Sequence, residues 1–234
     1  SWQTDLGVEW VTEHLALQAS LFVNAVEKFI FYQKLPAAAG GDSLIEEEGR
    51  WLPAYRFNQR NVVLYGGELS ADLHPHPLDW LHFENSFGYV YAINLNMPDS
   101  SKFLPFTPPA HYRGELRFDI PKTGDWVRGL FAGVRFDYFF HQKRVLLENN
   151  TETPTPDYGL LGISGGFDFY AGGKTKIFSL IIAAENLANT AYQSHLSRLK
   201  YLDINPANGK RGIWNMGRNI STKIIFPLEF SLKK

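Results

Sequence analysis

The sequence predicts an all-β fold, an antiparallel meander of about nine long strands, and three observations predict it. Apolar and polar residues alternate with period two through most of the chain, which puts them on opposite faces of extended strands. The alternating segments run to or past the ~10 residues that a tilted strand needs to cross a bilayer, beyond the roughly five or six usual in soluble domains. The connections alternate short and long, as in a transmembrane β-barrel with tight turns at one rim and long loops at the other.

Taken in order, Leu6, Val8 and Trp10 alternate with Asp5, Gly7 and Glu9. A short turn over 12–14 leads to Leu15, Leu17, Ala19, Leu21 and Val23, opposite Gln18, Ser20 and Asn24. After a long connection over 35–50, Val63, Tyr65, Leu69 and Leu73 lie opposite Glu68, Ser70 and Asp72. The turn 74–80 precedes Leu81, Phe83, Phe87, Tyr89, Tyr91 and Ile93, which alternate with His82, Glu84, Ser86 and Asn94. A second long connection covers 95–110. Tyr112, Leu116, Phe118 and Ile120 then alternate with Arg113, Glu115, Arg117 and Asp119, and "PKTGDW" (121–126) reads as a tight turn. Leu130, Ala132, Val134, Phe136 and Tyr138 follow, with Arg135 and Asp137 between them. A polar loop reaches 157. Leu161, Ile163, Phe167 and Phe169 alternate with Gly162, Ser164, Asp168 and Tyr170, and a turn over 171–174 opens "KIFSLIIAAENL", where alternation blurs. The long connection 196–217 leads to the last strand, in which Ile220, Thr222, Ile224, Phe226, Leu228 and Phe230 take every second position.

Composition excludes several classes. A net charge of -1 leaves no basic surplus for nucleic acid. Cys is absent, so disulfides, thiolate zinc sites and cysteine nucleophiles are ruled out. No apolar run approaches the roughly 20 residues of a membrane helix. Nucleophile-elbow, phosphate-loop and His-Glu-x-x-His motifs are missing, so no catalytic residue, cofactor or enzymatic activity is expected. The chain starts at Ser1 without a charged, then apolar, leader, and is expected to be a mature form or a fragment.

The C-terminal region carries the most specific signal. "AAENLANTAYQSHLSRLKY" and "NMGRNISTKIIFPLEF" place Asn186, Leu187, Asn189 and Tyr192 before Gly217, Arg218 and Asn219, ahead of a strand ending at Phe230. Asn186 and Asn189 are suited to hydrogen-bonding the backbone where a strand leaves the membrane. Tyr192 suits an aromatic girdle, Gly217 a tight strand start and Arg218 a lumenal carboxylate. The set resembles the C-terminal end of TonB-dependent outer-membrane receptors, in which an Asn-Leu-x-(Asp/Asn)-x-x-Tyr segment closes the penultimate strand and a Gly-Arg pair opens the last.

That resemblance implies that residues 1–234 are the C-terminal part of a barrel of about 22 strands, without its N-terminal plug or earlier strands. It implies a bacterial outer-membrane location and several partners: lipid, the missing plug and strands, TonB through the plug, the barrel-assembly machinery that reads the terminal aromatic, and a small-molecule ligand. Ferric chelates lead, ahead of cobalamin, haem, copper and glycans. The last strand departs from the pattern in two ways: "SLKK" (231–234) extends past Phe230, and Pro227 removes a ladder donor, which fits a rim where pairing ends.

Ligand-binding candidates are residues able to stack on, or pair with, an anionic chelate: Trp51, Tyr55, Tyr112, Arg198, Lys210, Arg211 and Trp214. "HPHP" sets His74 and His76 two apart, which suits a metal, but a proline-stiffened turn is the simpler reading and no metal is expected. His111 and His141 stand alone, and Glu115 and Asp119 among Arg113 and Arg117 read as charge compensation. Two rival readings are a small self-contained outer-membrane pore or adhesin, and a soluble β-barrel or sandwich that binds a lipophile.

Overall fold

The computed structural model describes residues 1–207 and 209–228, so Phe230 and the 231–234 tail lie outside the described residues. The strands are β1 (Trp2–Val11), β2 (Leu15–Lys34), β3 (Leu44–Glu47), β4 (Arg50–Pro53), β5 (Tyr55–Leu73), β6 (Leu81–Asn94), β7 (His111–Lys122), β8 (Val127–Phe139), β9 (Tyr158–Ala171), β10 (Thr175–Glu185) and β11 (Asn219–Ile225). Nine of them form one sheet in the order β1-β2-β5-β6-β7-β8-β9-β10-β11, every neighbour antiparallel, while β3 and β4 form a separate hairpin. Among the described residues β1 and β11 pair on one side only, so the sheet is open at both edges.

Register converts the alternation into two chemically distinct faces. Leu6 sits opposite Leu21, Leu69 opposite Phe87, and Phe87 opposite Tyr112. Val134 lies between Leu116 and Ile163, and Ile163 leads through Ala184 to Ile220. A one-residue slip would transfer every one of these to the other face. Leu21, Leu69, Val134 and Ile182 remain 60%, 52%, 44% and 48% exposed, so among the described residues no protein layer covers this face. The opposite face is ionic. Arg117 grips Asp119 with two hydrogen bonds, of 2.7 and 3.0 Å, while Arg113 and Arg135 approach Asp137 at 2.7 and 3.0 Å. A soluble lipophile binder would have these faces reversed; an exposed apolar belt around a charged interior is what a bilayer requires.

Aromatic pairs mark the rims of that belt. At the short-turn rim Trp80 stacks on Phe118 (5.8 Å between centroids), and Phe169, Phe178 and Phe226 follow one another at 5.2 and 6.2 Å. Towards the long loops, Tyr65 meets Tyr91 and Tyr138 meets Phe140, each pair at 4.9 Å.

The hydrophobic core sits at the long-loop end. Strands β2 and β5, of 20 and 19 residues, are about twice the crossing length and continue past the belt as a ribbon. A bulge between Val26 and Phe29 re-aims β2 there, with the Lys28 N–H donating to Asn61 at 3.0 Å. Phe31, Val62, Ala92, Leu104 and Leu146 then pack together under the 95–110 and 140–157 loops. Arg60 ties this layer to Glu148 at 2.7 Å, and Gln142 donates to the Thr107 carbonyl at 2.9 Å.

Three details differ from the sequence reading. The connection expected over 35–50 carries the β3–β4 hairpin and so runs on to Ala54. The blurred pattern of β10 comes from a bulge between Lys176 and Phe178, where Ile177 is the additional residue. Pairing in β11 stops at Ile225, opposite Ser179, because Pro227 has no N–H to extend the ladder; the alternation continues in sequence beyond the strand.

Candidate functional site

The junction between β10 and β11 shows how the chain turns over at the long-loop end. Asn186 is buried and left-handed (φ 49°), a conformation that asparagine tolerates. Its side chain accepts from the Thr190 N–H (2.8 Å) and donates to the Thr190 and Met216 carbonyls (2.9 and 3.3 Å). The Leu187 N–H donates to Leu161, and Asn189 accepts from the Arg218 N–H at 3.2 Å. A Cβ at Gly217 would press on the Asn189 side-chain oxygen and push it from the Arg218 N–H that it accepts. Asn219 begins β11 opposite Glu185. Two expectations are corrected. Arg218 Nε donates to the Leu187 carbonyl at 2.9 Å and forms no ion pair among the described residues, because the turn brings a backbone acceptor closer than any lumenal carboxylate. Tyr192 leaves the girdle and stacks on Tyr158 at 4.5 Å.

That contact completes a file of rings on the polar side of the sheet. His111 stacks on Phe139 at 4.2 Å, Phe139 on Tyr158 at 4.7 Å, and Tyr158 on Tyr192. Tyr158 and Tyr192 line a cleft of about 580 Å³ together with Asp157, Tyr201, Arg211 and Trp214. Lys210 lies over the Trp214 ring at 4.7 Å.

A second hollow, of about 470 Å³, lies against the top of the β2–β5 ribbon and shares Tyr201 with the first. Tyr32 is its centre: Tyr55, Phe57 and Phe106 surround it at 6.2, 5.9 and 6.1 Å. The Arg198 guanidinium lies 4.0 Å from the Tyr32 centroid and 4.9 Å from that of Phe106, a cation–π arrangement. No carboxylate pairs with Arg198 among the described residues, and Arg56 lines the same hollow.

Behind both hollows is a buried polar cluster. Phe106 adopts a left-handed backbone (φ 57°), costly for a bulky residue, and its N–H is held by Glu152 at 2.7 Å. The other Glu152 oxygen accepts from Leu146 at 3.0 Å. The Thr155 hydroxyl accepts from Lys200 Nζ (2.9 Å) and donates to His195 Nδ1 (2.9 Å), leaving the ring proton on Nε2, 3.6 Å from Glu152. Burial pushes the Glu152 carboxyl above its usual range, against the pull of its two N–H donors. Burial, then the charge of Lys200, pushes His195 down to about 4. Burial also lowers Lys200, with Glu152 acting in the opposite direction. Glu152 and Thr155, on one loop, therefore tie it to the Phe106 loop and to the loop bearing His195 and Arg198 respectively.

Of the candidate ligand residues, Tyr55 and Arg198 meet in the ribbon hollow, and Arg211, Trp214 and Lys210 gather at the larger cleft. Trp51 stands exposed on the β3–β4 hairpin and joins neither. Tyr112 is corrected: it lies within β7 on the apolar face, where its hydroxyl donates to Asn85 at 2.7 Å. Tyr32, Phe106, Tyr158, Glu152, His195 and Lys200 escaped the sequence reading. Phe106 alone carried a local sign, the flanking prolines of "LPFTPP".

Residues 1–187 match the family described as TonB dependent receptor-like, beta-barrel. No curated protein matches the chain in sequence. Among solved structures it resembles "Copper transporter OprC" at 20% identity and TM-score 0.71, covering 96% of this chain and 31% of that one. It also resembles the FrpB iron transporter from Neisseria meningitidis (14%, TM-score 0.58, covering 95% and 30%). A third is BauA, the ferric preacinetobactin receptor from Acinetobacter baumannii (13%, TM-score 0.56, covering 95% and 28%). The chain thus spans about three-tenths of each of these structures. These likenesses agree with the open sheet, its two faces and the Asn186–Arg218 junction: the chain belongs to the β-barrel domain of the TonB-dependent receptors, a family of Gram-negative outer-membrane proteins.

Proposed function

We propose that this chain forms the C-terminal strands of an outer-membrane active transporter that takes up a ferric chelate with energy supplied through TonB. In this reading the apolar face meets outer-membrane lipid, the short turns lie in the periplasm and the long loops face outward. The open edges at β1 and β11 support further strands, because unpaired backbone groups are not tolerated in lipid. A plug inside the completed barrel contacts TonB, and the barrel-assembly machinery reads the terminal aromatic.

The observation that carries the ligand class is Arg198, held over Tyr32 and Phe106 with no carboxylate partner among the described residues. A cation presented above aromatic rings matches a ligand that is both anionic and aromatic, as iron-chelating ligands often are. Arg211, Lys210 and Trp214 extend the same chemistry across the neighbouring cleft. A bare copper ion fits less well, since the segment has no Cys and only two Met to serve as soft ligands.

The test is binding of radiolabelled ferric chelates to iron-starved cells that carry the complete receptor, with Arg198→Ala and Tyr32→Ala alongside. Each variant should weaken binding of the cognate chelate by about 10- to 100-fold. Wild-type binding by both variants, or failure of the receptor to bind any ferric chelate, would overturn the assignment.

A further inference from the structure

The short-turn rim holds a group of donors that ligand uptake at the long loops leaves unused. The β1–β2 and β5–β6 turns abut there, with the His74 N–H donating to the His14 carbonyl at 2.9 Å. His74 Nε2 lies 2.6 Å from an Asp72 oxygen, and the His74 and His82 rings meet at 4.3 Å, inclined by 60°. One donor atom from each of Asp72, His74 and His82 falls within 4.8 Å of the others, and all three residues are half-buried. The second Asp72 oxygen is buried without a hydrogen-bond partner. Asp72 and His82 point to the charged side of the sheet, opposite Glu84 and Arg117 in register.

We infer that Asp72, His74 and His82 form a binding site for a divalent transition metal at the periplasmic mouth of the barrel. Two imidazoles and a carboxylate suit borderline ions such as Zn²⁺, Co²⁺, Ni²⁺ or Cu²⁺, whereas Ca²⁺ and Mg²⁺ require oxygen donors. Rotation of the two rings closes the set around an ion and leaves positions open to water or to a ligand. Asp119, 3.9 Å from His82 Nε2 and anchored by Arg117, stands outside the donor set, where it helps to orient that ring. The spacing in "HPHP" suggests His74 with His76, but the fold pairs His74 with His82 and places His76 towards His14 and Asp79. This site is independent of the ligand taken at the long-loop end.

The experiment uses the complete receptor in detergent, stripped with a chelator and titrated with Co²⁺, whose visible d–d absorption reports nitrogen and oxygen ligation, and with Zn²⁺ by calorimetry. A saturable class of sites is expected. His74→Ala and His82→Ala should each weaken it by more than about tenfold and remove the Co²⁺ bands. His76→Ala should leave both unchanged, and the folded gel band of every variant should match the wild type. Absence of Co²⁺ bands and of saturable Zn²⁺ binding would overturn the inference. So would binding that survives the H74A/H82A double variant, or that is lost in His76→Ala.

Discussion

Replacing Val134 with arginine puts the face assignment at risk directly. Val134 is near the middle of β8, between Leu116 and Ile163, and no second layer among the described residues packs over it. A guanidinium there would point into hydrocarbon at a cost of about 2–4 kcal/mol, roughly a 30- to 1,000-fold loss in the folding equilibrium. The neighbouring Arg135 provides the matched control. Arg135→Leu removes hydrogen bonds to Asp137 and Glu185, but Asp137 keeps Arg113 at 2.7 Å and His111 at 3.1 Å. Its cost should be about 1 kcal/mol, since Arg135 is about one-third exposed and the buried Asp137 keeps its other partners. The assay is urea unfolding of the complete receptor in phospholipid vesicles, followed by the gel shift of the folded band. If Arg135→Leu proved the more damaging change, or Val134→Arg cost under about 0.5 kcal/mol, the apolar face would not be the lipid face.

Further expectations concern the long-loop end. The native protein holds His195 neutral down to about pH 4, whereas the unfolded chain takes up a proton near the ordinary value of 6.5. The unfolded state therefore binds more protons across that window, and loop stability falls as the pH drops through it, by up to about 3 kcal/mol. Glu152, whose carboxyl is raised, offsets part of this because its protonation then favours the fold. Protease protection of the 186–218 loop should decline between pH 6.5 and 4 and lose that decline in His195→Gln, where Glu152 leaves a slight rise; an unchanged slope in that variant would refute the assignment. Asn186→Ala should cost about 2–3 kcal/mol, through lost hydrogen bonds and a left-handed alanine, and should expose the same loop to protease. A cost below about 0.5 kcal/mol would show that Asn186 is not needed to hold the β10–β11 junction.

The strands were legible because lipid and a charged interior enforce period-two alternation with little interruption, from Leu6 through Ile224. Loop lengths were equally plain, since turns such as 171–174 carry glycine punctuation. The Asn186–Gly217 junction could be read because its hydrogen bonds are made within one connection. Contacts between connections left no such trace. Arg198 reaches Tyr32 across most of the strands, and Glu152 reaches Phe106 across β7 and β8, and no local pattern records either. Tyr112 and Tyr192 show the same limit: both are aromatic and near a rim, yet one faces the apolar side and the other the ring file, as register and the turn decide. Bulges hid the rest, because Ile177 and Lys28 each shift the parity that alternation relies on.

The central claim, that this open sheet is part of a larger membrane barrel, is tested most directly by the size and location of the native polypeptide. An antibody to the long loops, used on fractionated cells, should detect a band in the outer membrane about three times the mass of this chain, as about 22 strands and a plug require. A band at the mass of this chain alone, or one in the soluble fraction, would contradict the account.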